Sequence, residues 1–401
     1  MKKYSTLLSL YLAQSIPMSF FSTVVPVIMR QEEYSLSSIG YLQLIKLPWI
    51  IKFLWAPFID SQGKNRAKYK QIILISELFY ALVILSIGFF NLQTDFSTII
   101  VLMVIAFLAS ATQDIATDAF AILSLKKSER STGNSMQSAG SFLGTLVGSG
   151  VLLIIYHHYG WQMLLNALAL FVVIALIPLI LLKTKRQDKD VVTEERETAG
   201  MKDIFSFFTQ KGIYRQVITL AIFYTGIIGI LAMVKPFLVD LGYQTDQIGF
   251  ISGIFGTSIG AASALLAGFI VKKLDVNLSI RIFSLYNLLA AIGFFILSRN
   301  TGNIYLIYLF VSILWSAYGM SSVAIYTLAM NRVRPGREGT DFTIQIVITH
   351  LSSMIVAIFS GKIADALGYE GLYGIEVAIA AVVLIFIVIM FHSKSSKNES
   401  L

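Results

Sequence analysis

Two aspartates lie inside an apolar stretch that is long enough to cross a lipid bilayer. Asp114 and Asp118 interrupt the apolar run from Ile99 to Leu123, and about twenty such residues span the hydrocarbon layer as a helix. Their spacing of four puts both carboxylates on one helix face, about 6 Å apart along the axis. An ionised Asp at the centre of a membrane helix costs roughly 2.5–3.5 kcal/mol on insertion scales. We therefore expect both carboxylates to meet water, a cation or a proton on the wall of a polar pathway.

The composition indicates an integral membrane protein. Of the 401 residues, 56% are hydrophobic and 13% are charged, whereas soluble domains average about 25% charged residues. The chain contains no Cys and only four His, which argues against disulfides, thiol chemistry and histidine-rich metal sites. Its net charge of +8 comes from basic residues in short loops, a pattern that membrane orientation explains better than nucleic-acid binding. We expect no cofactor, no metal and no nucleic-acid partner.

Apolar runs of spanning length recur along the whole chain, which predicts an all-α integral membrane fold with twelve transmembrane helices. The predicted spans are residues 5–29, 36–59, 70–92, 97–123, 134–156, 162–183, 213–239, 246–270, 278–298, 303–331, 341–364 and 370–392. Lys and Arg gather in alternate loops, and this imbalance predicts that both termini lie on the cytoplasmic side of the cytoplasmic (inner) membrane.

A long polar stretch with charges of both signs divides the chain. We expect an N-terminal bundle of six helices over residues 1–183, a cytoplasmic linker over 184–212 with a short interfacial helix near 201–208, and a C-terminal bundle of six helices over 213–401. Similar segments about 210 residues apart, such as 26–40 and 236–249, suggest that the halves are related. Parallel halves of this kind are typical of transporters whose site lies between them near mid-membrane.

The loop after the second span resembles the signature of the major facilitator superfamily, G-x-x-x-D-x-x-G-[RK]-x-[RK]. Ala56 replaces the first glycine of the signature, and its other positions are matched by Asp60, Gly63, Lys64 and Arg66. The resemblance implies two pseudo-symmetric six-helix bundles that move about a central cavity. It also implies that the four matching residues form a conformational latch at the cytoplasmic face.

Two further motifs resemble one branch of that superfamily. Residues 52–60, Lys-Phe-Leu-Trp-Ala-Pro-Phe-Ile-Asp, and residues 111–119, Ala-Thr-Gln-Asp-Ile-Ala-Thr-Asp-Ala, are together similar to the branch of anhydromuropeptide permeases, single-component siderophore importers and acetyl-CoA transporters. The motifs do not separate the members of this branch, so the substrate stays open among them.

Asp114 and Asp118 are the candidates for proton coupling, because two stacked carboxylates in a desolvated site favour the binding of a proton. Counted along the helices, Lys52 and Asp118 lie about 12 Å from the cytoplasmic side, while Lys46 and Asp114 lie about 21 and 18 Å deep. Lys46 and Lys52 are therefore the expected charge partners. The alternative is a purely structural ion pair that ties the fourth span to the second.

Six residues are candidates for substrate binding, because the resemblance places spans one, four, seven and ten around the cavity. Lys235 would suit an anionic substrate, and aromatic rings would stack on sugar or aryl groups. The alternatives are a lysine that reaches to the interface, interhelical hydrogen bonds worth about 0.6 kcal/mol each, and ordinary aromatic packing. The candidates are Gln14, Gln113, Tyr224, Lys235, Trp315 and Tyr318.

These features favour a monomeric secondary transporter, coupled to protons or Na⁺, that works by alternating access in the lipid bilayer. By resemblance we expect it to import a bulky, polar and anionic small molecule, with muropeptides and siderophores foremost. One alternative is an exporter of drugs or metabolites on the same scaffold. The other is a multi-pass membrane enzyme or sensor, which we disfavour because the charged groups lie at mid-depth and not at one membrane face. We expect no enzymatic activity.

Overall fold

The computed structural model describes residues 2–31, 43–91, 94–182, 199–300 and 303–391. These residues are helical almost throughout, with no β-strand among them. They form two compact units, one of Met1–Lys211 with Ala329–Val347 and one of Gly212–Leu328 with Ile348–Leu401. The all-α prediction is confirmed, while the domain boundaries at residues 183 and 212 stay a prediction.

Among the described residues, ten helices precede the boundary of the first unit at Lys211. They are α1 (Lys2–Ser19), α2 (Val25–Gln31), α3 (Leu47–Ile51), α4 (Ala56–Gln62), α5 (Arg66–Ile87), α6 (Phe96–Ser124), α7 (Arg130–Leu146), α8 (Leu152–Ala175), α9 (Ile177–Leu181) and α10 (Lys202–Phe208). Single π-helical turns at Phe20–Val24 and Val147–Val151 join α1 to α2 and α7 to α8. Short 3₁₀ segments lie at Gln43–Lys46, Lys52–Leu54 and Lys127–Glu129.

Seven further helices follow Lys211 in the part of the chain that the structure describes. They are α11 (Ile213–Ile222), α12 (Thr225–Asp240), α13 (Thr245–Ile248), α14 (Gly256–Leu274), α15 (Val276–Arg299), α16 (Ile304–Asn331) and α17 (Glu338–Met390). A turn at Phe223 and Tyr224 separates α11 from α12. A π-helical turn at Gly249–Phe255 joins α13 to α14.

Eight helical stretches of the described chain are long and apolar enough to cross a membrane. Two of them, Lys127–Leu181 and Glu338–Met390, are twice the needed length, and each breaks at a glycine with positive φ, Gly160 at 75° and Gly368 at 68°. This backbone conformation is open to glycine and strained for other residues, so each glycine ends one span and starts the next. The predicted first span corresponds to α1 with α2, and of the predicted second span the structure describes the residues from Gln43 onward.

Helices α1 and α7 pack closely because α7 presents glycines to α1. A Cβ added at Gly140 would lie 2.6 Å from the carbonyl oxygen of Leu8, and one at Gly144 would lie 2.6 Å from that of Leu12. Small residues at a helix interface allow this close approach in membranes. The packing fixes α1 beside the helices that carry the charged residues.

The expected linker helix is present as α10, and it is tied to the segment before α17. Arg337 donates to the carboxylate of Asp203, while Arg334 donates to the Ser206 hydroxyl at 2.7 Å and pairs with Asp341 at 2.6 Å. Partial burial acts to raise the pKa of Asp203, but the hydrogen bonds from Arg337 and from the backbone N–H of Gly200 outweigh it and hold that pKa below its usual value. Residues 329–347 thus belong to the first compact unit.

Candidate functional site

The two aspartates of α6 lie inside the first unit and not on its surface. Asp114 is 4% exposed and Asp118 is 2% exposed. They lie on neighbouring turns of one continuous helix, as their spacing predicts. Because a buried carboxylate needs hydrogen bonds or a counter-charge, the partners of each one decide what the pair can do.

Asp114 is the carboxylate that is paired with a cation. Lys52 donates from its ammonium group to Oδ2, and Gln14 of α1 donates from its amide to Oδ1. Lys52 is itself 1% exposed, so both charges of this ion pair are withdrawn from water. Removing one partner of such a pair leaves the other charge buried and uncompensated.

Lys52 reaches the deeper aspartate because its helix is irregular at this point. The second span changes from α3 to a 3₁₀ segment at Lys52–Leu54, and the indole N–H of Trp55 donates to the Thr112 hydroxyl of α6 at 3.2 Å. The long flexible side chain of lysine spans the remaining difference in depth between Lys52 and Asp114. Counted along an ideal helix, Lys52 lies at the depth of Asp118, which predicts that those two pair. In the structure Lys52 pairs with Asp114 instead.

Asp118 has a neutral partner. The Tyr11 hydroxyl of α1 donates to its Oδ1 at 2.6 Å, and Asp118 makes no ion pair with any residue that the structure describes. Two carboxylates therefore share a buried site with one ammonium group. If both were ionised, one negative charge would stay unbalanced, and Asp118 would carry it.

The Lys52 ammonium also contacts an aromatic ring. The Lys52 ammonium lies 4.7 Å from the centroid of the Trp49 ring, a geometry that attracts a cation to the ring face. Lys46, the other predicted charge partner, is half-buried at the end of the 3₁₀ segment Gln43–Lys46. Its role as a charge partner stays a prediction.

Gln113 is fully buried beside the acidic pair. Its amide nitrogen and oxygen both lack a hydrogen-bond partner among the described residues, and so does the Oε1 atom of Gln14. Unsatisfied buried amides are unfavourable and call for a partner such as water or a ligand. Substrate binding by Gln14 and Gln113 stays a prediction.

The three aromatic candidates of the second unit lie together. The rings of Tyr224 and Tyr318 are 5.5 Å apart between centroids, and Tyr318 lies 6.4 Å from Trp315. The indole of Trp315 packs against Gly256, where a Cβ would overlap it. Lys235 is exposed on α12 of the same unit, and its role toward a substrate stays a prediction.

The predicted latch residues lie around a buried acceptor, Asp60. Its carboxylate accepts from the Tyr69 hydroxyl at 2.6 Å, from the N–H of Gly339 at 2.9 Å, and from the N–H and hydroxyl of Thr340 at 2.7 Å each. The two N–H groups belong to the first turn of α17, where a helix attracts negative charge. Burial nevertheless raises the pKa of Asp60 to about 6, against these hydrogen bonds, which lower it.

The remaining latch residues differ in how closely they are held. A Cβ at Gly63 would overlap the ring of Tyr69, so glycine is needed for Tyr69 to reach Asp60. Lys64 is exposed and Arg66, at the first position of α5, is half-buried. Gly63 thus acts through packing, while Lys64 lies at the surface.

A family comparison matches most of the chain. The family model described as Major Facilitator Superfamily matches residues 7–355. The chain belongs to the major facilitator superfamily. It is therefore a multi-pass membrane transporter, and the superfamily resemblance predicted from the motifs is confirmed.

Relatives of this transporter carry the names of the predicted branch. The anhydromuropeptide permease of Escherichia coli (strain K12) is 24% identical over 390 residues, covering 96% of this chain and 78% of the relative. A protein of Rickettsia prowazekii (strain Madrid E), named putative transporter AmpG 3, is 27% identical over 385 residues, covering 91% of this chain and 89% of the relative.

Solved structures confirm the major facilitator fold of this transporter. The fucose:proton symporter of E. coli is similar with a TM-score of 0.71 and 12% identity, covering 97% of this chain and 98% of the other. A bacterial homologue of the iron transporter ferroportin gives a TM-score of 0.70 and 14% identity, covering 98% and 100%. At these identities the likeness extends to the fold alone.

The sequence motifs of this transporter did not predict several partners of the charged residues. Tyr11 precedes Gln14 by three positions on α1, which puts both on one helix face, as the four-residue spacing does for the aspartates, and could have predicted two contacts between these faces. No comparable signal marks Trp49, Tyr69 or Thr340. Their contacts depend on how separate segments pack, which local periodicity does not report.

Proposed function

We propose that this transporter is a proton-coupled importer of muropeptide-class solutes in the cytoplasmic (inner) membrane. The observation that carries the proposal is the buried site with two carboxylates and one ammonium group, Asp114, Asp118 and Lys52. Such a site holds a single excess negative charge, which one proton neutralises. Buried ionisable groups in membrane helices are typical of proton relays.

In the proposed mechanism Asp118 carries the proton and Asp114 keeps its ion pair with Lys52. Protonation of Asp118 removes the excess charge. The protonated carboxyl group can then donate a hydrogen bond to the Tyr11 hydroxyl, which accepts it. The neutral site then permits the loaded transporter to turn inward, where Asp118 releases its proton to the cytoplasm. Lys52 stays held by Asp114 and by the Trp49 ring while this happens.

The substrate assignment rests on the relatives and on the chemistry of the second unit. The E. coli relative is named as an anhydromuropeptide permease, and this supports a muropeptide over a siderophore. A muropeptide combines sugar rings with carboxylates. The Tyr224, Tyr318 and Trp315 rings offer stacking surfaces for sugars, and the Lys235 ammonium offers a counter-charge.

The proposed latch is the contact between Asp60 and the start of α17. It joins the loop after the second span to residues far along the chain, and it satisfies the N–H groups of Gly339 and Thr340. Breaking it exposes those groups to water, so it can form in one conformation and open in another. Termini on the cytoplasmic side would place it on the inner face.

Uptake into liposomes of an anhydromuropeptide under an imposed pH gradient tests the proposal. We expect the native protein to accumulate substrate, and Asp118→Asn to lose accumulation by at least tenfold while still inserting into the membrane. Asp246→Asn, a change at an exposed position, serves as the matched control and should transport normally. Accumulation by Asp118→Asn at the native level, or accumulation driven by a Na⁺ gradient alone, would refute proton coupling at this residue.

A further inference from the structure

The second unit contains a buried acid that the transport mechanism does not use. Glu376 lies in the second half of α17 and is 2% exposed. Its carboxyl group packs against Gly229 of α12, where a Cβ would overlap Oε1, and four residues later Ala380 packs against Gly226, where a Cβ would lie 2.5 Å from that of Ala380. Two glycines of α12 thus make the space for one face of α17.

The hydrogen bonds around Glu376 assign the position of a proton. The Ser360 hydroxyl lies 3.5 Å from Oε1 of Glu376 and 2.7 Å from the carbonyl oxygen of Val356. Its single hydrogen is taken by the shorter contact, because a carbonyl oxygen cannot donate. At 3.5 Å the serine therefore gives Glu376 no strong hydrogen bond, and a stronger one at this place would have the carboxyl group as donor and the serine oxygen as acceptor.

An ionised carboxylate would have no compensation at this place. The other oxygen, Oε2, is buried without a hydrogen-bond partner, and none of the cations in the described ranges makes an ion pair with Glu376. Burying an isolated carboxylate is so unfavourable that such groups take up a proton instead. None of the charged or titratable groups of α12, of α15 and of residues 348–390 makes a described hydrogen bond or ion pair with Glu376. These groups are Lys235, Asp240, Arg281, Tyr286, Arg299, His350, Lys362, Asp365, Tyr369, Glu370 and Tyr373.

We propose that Glu376 is a second proton-binding site, separate from the Asp114 and Asp118 pair, that holds a neutral carboxylic acid at neutral pH. Its O–H is on Oε1, the oxygen that packs against Gly229 and lies nearest Ser360, and the serine oxygen accepts from it, so that Oε2 is the carbonyl oxygen. The bound proton lets three helical segments, α12 and the two halves of α17, pack without a buried charge. The inference does not depend on the proposed transport mechanism, since it concerns other residues in the other unit.

Infrared difference spectroscopy of the full chain in liposomes at neutral pH tests the site. The spectrum of the native protein minus that of Glu376→Gln should show the carbonyl stretching band of a protonated carboxylic acid. Ser360→Ala removes the acceptor and should shift that band to higher frequency. The same difference spectrum recorded in the Asp118→Asn background should show the band unchanged, which separates this test from that of the transport mechanism. A carboxylate band in the same difference spectrum, or no shift in Ser360→Ala, would overturn the proposal.

Melting temperatures of packing variants provide a second test, which does not require the Glu376→Gln or Ser360→Ala single variants to fold well. Gly229→Ala places a methyl group on Oε1 of Glu376, so we expect a lowered melting temperature. Gly361→Ala is the matched control, since its Cβ would have only Met233 nearby, at 3.9 Å. A Cβ at Gly229 would also overlap the Ser360 hydroxyl, so Glu376→Ala and Ser360→Ala together restore the space, and the melting temperature of Gly229→Ala combined with both should exceed that of Gly229→Ala alone. An additive loss in this triple variant would contradict the assigned contacts.

Discussion

At the scale of single residues, the first unit separates two aspartates of one helix by their partners. Asp114 has a buried ammonium and an amide as donors, whereas Asp118 has a tyrosine hydroxyl. The same residue type on the same face therefore has two electrostatic environments. This difference underlies the proposed division between a paired carboxylate and a proton carrier.

The ion pair makes a direct prediction about stability. Lys52→Met should lower the free energy of unfolding by roughly 3–5 kcal/mol, because it leaves Asp114 buried without its counter-charge. Lys52→Met combined with Asp114→Asn removes both charges and should recover most of that loss. Thermal unfolding of the purified variants in detergent measures both effects. A double variant as unstable as the single one would show that the charge is not what Lys52 supplies.

At the scale of helices, two contacts set how the first unit holds together. Glycines on α7 let it lie against α1, which carries Tyr11 and Gln14. The contact of Asp60 with Gly339 and Thr340 ties α4 to the start of α17. The first contact depends on shape and the second on charge, so they respond to different changes.

The glycine contact predicts a position-dependent response to a single methyl group. Gly144→Ala should destabilise the protein by about 1–3 kcal/mol, because overpacking forces the backbones of α1 and α7 apart. Gly150→Ala, where no atom lies within 4 Å of the added Cβ, is the matched control and should leave the melting temperature almost unchanged. Equal effects at both positions would contradict the close packing of α1 on α7.

The Asp60 contact predicts a pH dependence with a definite sign. Burial raises the pKa of Asp60 from 3.8 to about 6, so above about pH 6 the folded state carries the full penalty of a buried carboxylate. As pH falls from about 6 to about 4, the folded state binds the proton first and gains stability relative to the unfolded state, by up to about 3 kcal/mol for two pKa units.

Asp60→Asn cannot titrate and should lack this gain. Unfolding free energies of the native protein and of Asp60→Asn, measured across that pH range, should therefore diverge in favour of the native protein on acidification. Parallel pH profiles would show that the carboxyl group is already protonated or solvated.

At the scale of the whole molecule, the features that could be predicted from the sequence are those that depend on neighbouring residues in the chain. Spanning helices follow from apolar length, and the four-residue spacing placed Asp114 and Asp118 on one face. The sequence could not predict that Lys52 pairs with Asp114, because this depends on the 3₁₀ segment at Lys52–Leu54. Nor could it predict that Asp60 contacts Gly339, which lies 279 residues further along the chain.

The central claim is that one proton moves with each substrate through Asp118. Proton uptake by proteoliposomes, followed with a pH-sensitive dye after an anhydromuropeptide is added, tests this claim most directly. We predict that the native protein and Asp246→Asn acidify the lumen when substrate is added, and that Asp118→Asn transports substrate only down its gradient with no proton movement. Substrate-dependent acidification by Asp118→Asn at the native rate would contradict the account.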